Sequence, residues 1–167
     1  EGPPLVLVHG FPLDRRIWAD VMPLLAPVSR VLAVDLPGFG SSPPAGEFTI
    51  PTLAAALRAF ISGLGLPPVV LAGLSMGGYV AEAFAQRYPE LLRGLVLVDT
   101  KSAADTPEQK AGRGQMIETC RQGGSAAISA AMMPRMLRPG SETSRPELAD
   151  RLRRIMEACP AETIQTA

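Results

Sequence analysis

Histidine is almost absent from this chain: His9 is the only one among 167 residues, and none follows it. Chemistry that draws an imidazole base from later in the chain therefore finds none here. Cysteine is scarce too. Cys120 and Cys159 make no disulfide framework, so free thiols in a reducing cytoplasm are the expectation. Lysine occurs only at Lys101 and Lys110, so the basic side chains are nearly all arginine, a bias of composition more than of function. Sixteen basic and sixteen acidic residues cancel to a net charge of zero, which removes the electrostatic case for nucleic acid or an anionic membrane. No apolar run approaches the ~20 residues that a membrane span needs. No secretory leader is visible, although the chain opens at Glu1 without a methionine. Nothing in the composition calls for a metal or a cofactor, and none is expected.

Regular alternation is what the chain does have. Four short apolar runs, residues 4–8, 30–34, 68–72 and 95–98, recur with helical patterns between them. Runs apolar nearly throughout suit parallel strands covered on both faces. The spacing predicts a helix over 17–26, with Trp18, Val21, Leu24 and Leu25 on one face and Pro23 kinking or shortening it. It predicts a second over 52–64, capped by Thr49 or Thr52 and ended by Gly63 or Gly65, and a third over 76–88, stopped by Pro89. Such βαβ alternation implies a doubly wound, mostly parallel sheet whose ligands bind beyond the carboxyl ends of its strands. After residue 100 no strand pattern remains. Helical patterns cover 108–122, 125–136 and 146–158, punctuated by Gly123-Gly124 and by residues 138–141. We read 1–100 as a partial α/β core and 101–167 as a helical lid. Met116, Met132, Met133, Met136 and Met156 would give that lid a pliable apolar underside, or simply fill gaps between its helices.

The most informative stretch runs from Val69 to Ala81. An apolar run ends in Gly73-Leu74-Ser75-Met76-Gly77, and a helical pattern rich in small residues begins at once. In that context the pentapeptide reads as a nucleophile elbow, a serine on a tight strand-to-helix turn. Gly73 and Gly77 would remove side chains that collide across the turn, and Gly78 would let the helix pack close to the sheet.

Four segments in order carry a family likeness. Leu5-Val6-Leu7-Val8-His9-Gly10-Phe11-Pro12 resembles the strand and oxyanion loop of the α/β-hydrolase superfamily. Val34-Asp35-Leu36-Pro37-Gly38-Phe39-Gly40-Ser41-Ser42 is similar to its next strand and glycine-rich turn. Gly73-Leu74-Ser75-Met76-Gly77-Gly78 resembles its elbow, and Leu95-Val96-Leu97-Val98-Asp99-Thr100 the strand leading into its lid. The capped branch of esterases, enol-lactonases and perhydrolases is the most similar; relatives with an aspartate nucleophile are disfavoured by Ser75. The resemblance implies that Ser75 attacks an acyl carbon while the backbone N–H groups of Phe11 and Met76 form the oxyanion hole. Trp18, Met132 and Met136 are the candidates for an apolar substrate pocket of modest size.

The partners of Ser75 are harder to find. His9 is either a base brought near Ser75 by adjacent strands or, by its place before Gly10, the residue that shapes the oxyanion loop; the second reading weighs more. Asp99, at the end of the fourth run, is a candidate acid or a turn aspartate. Asp35 reads as the anchor of the Pro37–Gly40 turn, and Asp14 as a helix cap. These gaps lead to the expectation of a fragment whose first and last strands, with an acid and a histidine, lie outside residues 1–167. The expected parent hydrolyses small esters or lactones, while the stretch itself is nearly inactive and associates as a homodimer or with its missing C-terminal half. A ligand-binding protein without catalysis is the competing expectation.

Overall fold

The computed structural model describes residues 2–44 and 48–167. The four apolar runs become β1 (Gly2–Val8), β2 (Ser29–Val34), β3 (Val69–Leu74) and β4 (Leu92–Val98). They pair in parallel in the order β2-β1-β3-β4, with Val8 opposite Val34 and Gly73, and Leu74 opposite Val98. Strand alternation sorts the side chains onto two faces. Leu7 and Ala72 meet Trp18 on one face, with Leu5, Val31, Ala33 and Leu74 packed around them. The alternate set, Val6, Val8, Val69 and Leu71, is fully buried on the other, where α3 (Met76–Arg87) lies on the sheet and α2 (Ile50–Gly63) lies on α3.

Local sequence explains the helix ends. Thr49 caps α2 in a reciprocal box with Thr52, and Pro51 stands in the first turn, where a missing N–H costs nothing. Leu53, Ala54, Leu57 and Ile61 form its buried stripe. The helix expected over 17–26 is instead a 3₁₀ turn, Arg15–Trp18, followed by a single-turn α1, Met22–Leu25. Pro23 does not kink a longer helix; it sits in the first turn of a new one. Asp14 caps the 3₁₀ turn by accepting from the Arg16 N–H at 2.9 Å, and the Arg16 guanidinium forks onto the same carboxylate.

Strand β4 departs from the expectation of burial on both faces. Leu95, Val96 and Leu97 are 39%, 44% and 45% exposed, although they point alternately to opposite sides. Among the described residues β4 pairs only with β3, so an edge strand cannot be shielded as β1 and β3 are.

The chain forms two compact units, Glu1–Ser102 and Ala103–Ala167. The second consists of α4 (Pro107–Met136), α5 (Ser141–Ser144), α6 (Pro146–Glu157) and α7 (Ala161–Thr166). Helix α4 is two helical segments meeting at Gly124, whose φ of 63° and ψ of −162° leave the helical region. Its inner side, Cys120, Ile128 and Met133, is buried, as are Ile155 and Met156 of α6 and Ile164 of α7. Ser125 Oγ donates to the Cys159 carbonyl, and the Cys120 thiol lies 3.6 Å from the Ala161 carbonyl, so both buried cysteines stand where α4 meets the chain from the end of α6 to the start of α7. Among the described residues no helix is long and apolar enough to cross a membrane.

Candidate active site

Ser75 sits between β3 and α3 with φ 51° and ψ −115°, a conformation that side-chain-bearing residues rarely adopt. The turn closes so tightly that a Cβ on Gly73 would collide with the Gly77 carbonyl. One on Gly77 would stand 2.5 Å from the carbonyl oxygens of both Val8 and His9. Both glycines are therefore required by close approach of backbone, as the elbow reading expects. The neighbour of Gly78 is more specific than the sheet as a whole: a Cβ there would strike the Thr100 side chain.

The loop after β1 stands against this turn. A Cβ on Gly10 would lie 3.2 Å from the Ser75 Cβ, which puts the Gly10-Phe11 segment alongside the serine. Met76, buried, is the first residue of α3, and the Ser75 hydroxyl does not cap that helix. The free N–H groups and the positive end of the helix dipole thus lie at the serine, the arrangement that favours a developing negative charge.

His9 is fully buried and committed at both ring nitrogens. Nε2 accepts from the Leu36 N–H at 3.1 Å, which leaves the ring proton on Nδ1, 2.9 Å from the Gly10 carbonyl. Burial holds its pKa below the ordinary 6.5, against the opposing pull of the Gly10 carbonyl, Asp35 and Asp14. A neutral imidazole in this setting braces the Gly10-Phe11 loop against the β2 end and leaves no nitrogen for the Ser75 proton. Phe39 completes the brace. Fully buried, it meets the His9 ring edge-on at 5.0 Å and the Phe11 ring at 6.5 Å.

Asp35 anchors the following turn through the Ser41 N–H and hydroxyl, and through the backbone N–H and guanidinium of Arg15. Burial pulls its pKa upward, but those donors and the Arg15 charge outweigh it and hold the carboxyl below its ordinary 3.8. Asp99 follows Val98, the partner of Leu74, so the register carries it alongside Ser75; it is exposed, with φ 43°. Trp18 is buried in the core of the first unit, and its indole N–H has no hydrogen-bond partner among the described residues. Met132 and Met136 are partly buried on α4 of the second unit. A cavity of about 310 Å³ opens beside β2 and α2, lined by residues including Arg15, Asp35, Ser41, Leu57 and Phe60. Neither Ser75, Phe11 nor Trp18 lines it.

Sequence reasoning missed Thr100, whose hydroxyl donates to the Ser75 carbonyl at 2.8 Å, and Arg15, which meets Asp35 across twenty residues. Neither bond has a sequence signal, because each depends on strands brought side by side.

A family model described as the alpha/beta hydrolase fold matches residues 3–121. A pimeloyl-[acyl-carrier protein] methyl ester esterase of Aeromonas hydrophila is 42% identical over 100 residues, 59% of this chain and 38% of that protein. Its counterpart in Neisseria meningitidis is 39% identical over 106 residues, 61% of this chain and 40% of the relative. Among solved structures, a thermophilic esterase from Thermogutta terrifontis superposes with a TM-score of 0.92 at 39% identity, covering 99% of this chain and 62% of that one. An enol-lactonase from Burkholderia xenovorans shares the fold at a TM-score of 0.88 and 24% identity. The chain thus spans about two fifths of these curated relatives and under two thirds of the Thermogutta esterase. With its parallel sheet, its serine turn and a family match over most of its length, the chain belongs to the alpha/beta hydrolase fold family.

Proposed function

We propose that this chain carries the nucleophile and oxyanion hole of a serine hydrolase acting on small carboxylic esters or lactones. Ser75 Oγ bonds to the acyl carbon as its proton passes to a base. The carbonyl oxygen becomes an oxyanion held by the N–H groups of Met76 and Phe11. Collapse expels the alcohol, which takes up the proton and leaves an acyl-enzyme for water to cleave. The observation that carries this reading is the backbone of Ser75, held in a costly conformation at the first turn of α3 with the Gly10 loop against it. The likeness to esterases supports an ester as the substrate class.

The base is assigned outside His9, because both nitrogens of that ring are engaged. We therefore assign the full activity to a protein in which an imidazole reaches Ser75, with Asp99 the candidate to orient it, and little turnover to these 167 residues alone. The same engagement of His9 favours a second reading, a ligand-binding protein that keeps the turn without catalysis.

One experiment separates the two. The 167-residue chain and its Ser75→Ala variant are treated with a fluorophosphonate, with and without added imidazole as the missing base. The hydrolase reading expects one label per chain, on Ser75, formed faster with imidazole and absent from the variant. Equal labelling of both proteins, or none in either, overturns it.

A further inference from the structure

The strained backbone of Ser75 is clamped from the end of β4. Its N–H donates to the Val98 carbonyl at 3.0 Å, and its carbonyl accepts from Thr100 Oγ1 at 2.8 Å. Between these two groups lies Asp99, turned into the left-handed region at φ 43°. The same carbonyl also accepts from the N–H groups of Gly78 at 2.8 Å and Tyr79 at 3.3 Å, as a first helical carbonyl does. Those two donors lie along the helix. Thr100 approaches from the strand side, through space that exists only because residue 78 has no side chain.

The Ser75 carbonyl and the Met76 N–H belong to one peptide unit. That unit is planar and trans, so the N–H points opposite to the C=O, and fixing one fixes the other. A hydrogen bond to the carbonyl also polarises the amide and makes its N–H a stronger donor. We propose that Thr100 is a positioning residue, whose hydroxyl sets the direction and donor strength of the Met76 N–H. The catalytic meaning rests on the function proposed above, in which that N–H stabilises the oxyanion; the geometric meaning does not. Thr100 touches no reacting atom. It acts through the peptide that does.

The test compares the wild-type chain with Thr100→Val, Thr100→Ala and Thr100→Ser. Valine keeps the shape, alanine removes the hydroxyl without adding bulk, and serine restores the donor. The first readout is the ¹⁵N and ¹H chemical shifts of the Met76 amide, which need no activity. These move in the Val and Ala variants and return towards wild type in the Ser variant. Unchanged Met76 shifts in Val and Ala overturn the proposal, as does a Ser variant that behaves like Ala.

The second readout is fluorophosphonate labelling of Ser75 in the presence of imidazole. The maximal labelling rate falls roughly tenfold in Val and Ala, comparable to one ordinary buried hydrogen bond, with half-saturation unchanged and with Ser within about twofold of wild type. Equal maximal rates in all four proteins overturn the role at the oxyanion hole. A wild-type chain that takes no label overturns the hydrolase reading instead, and the Met76 shifts still decide what Thr100 does.

Discussion

Two of the places where this chain leaves the ordinary backbone regions are held in opposite ways. Ser75 stands at φ 51° and ψ −115°, Gly124 at φ 63° and ψ −162°. Around Ser75 the fold over-determines the strain: Val98 and Thr100 grip its peptide groups, and glycines at 73 and 77 let backbone close on both sides. Around Gly124 there is nothing of the kind; a Cβ added there would meet no atom within 4 Å. A break made by glycine needs no scaffold, because the residue adopts that conformation without a steric penalty. Strain at a residue with a side chain persists only where neighbours enforce it, which is why the serine turn reads as a site and the α4 break as a joint.

The comparison is broken most severely at Gly77. Alanine there pushes a Cβ into the Val8 and His9 carbonyls, which belong to the sheet and its loop and cannot swing aside as a side chain would. Urea denaturation of Gly77→Ala is expected to show a loss of about 3 kcal/mol or more. A loss below about 1 kcal/mol would mean that the turn relaxes freely.

A paired measurement sharpens it. Gly124→Ala has room for its methyl group but not the right conformation, and should cost about 2 kcal/mol from backbone strain alone. Ser75→Gly should be more stable than Ser75→Ala by about 1 kcal/mol, since only glycine releases the strain that any Cβ maintains. Equal stabilities for the two Ser75 variants would show that the elbow is not strained.

The smallest effect belongs to the brace beneath the loop. Folding lowers the pKa of His9 below 6.5, so the unfolded chain takes up the proton first as pH falls. The stability contributed by neutral His9 is full above the unfolded value and is lost progressively from pH 6.5 towards the folded pKa. Because His9 is the only histidine, urea denaturation between about pH 7.5 and 5.5 isolates it from the carboxylates. His9→Gln, though less stable overall, should lose less stability than the wild type across that interval. Identical pH slopes would show that burial does not hold the ring neutral.

How legible each part was in the sequence follows from the range of the forces involved. The β3–Ser75–α3 turn is written in residues within five positions of one another, so its spacing declares it, although Val8, His9, Val98 and Thr100 enforce it from far along the chain. Helix α2 declares itself through a capping box and a stripe of leucine, alanine and isoleucine. Asp35 was recognisable as a turn anchor because Ser41 is near in sequence, whereas Arg15 was not, being twenty residues away. The segment 17–26 misled because its apolar spacing suits one helix, while Trp18 buries itself on the sheet and the chain restarts at Pro23. Helix α7 left no signal. Six residues do not hold a helix in water, and this one buries Thr163 and Ile164 within the second unit.

The sequence by itself determined the strand runs, the glycines at 73 and 77, the serine between them and the presence of a single histidine, because these rest on local spacing and on composition. Only the tertiary structure decided which strands are neighbours. That order puts Leu36 against His9, Arg15 against Asp35 and Thr100 against the Ser75 carbonyl. Each of these contacts joins residues twenty or more positions apart, and the direction of a hydrogen bond across such a distance exists only once the sheet has brought its ends together.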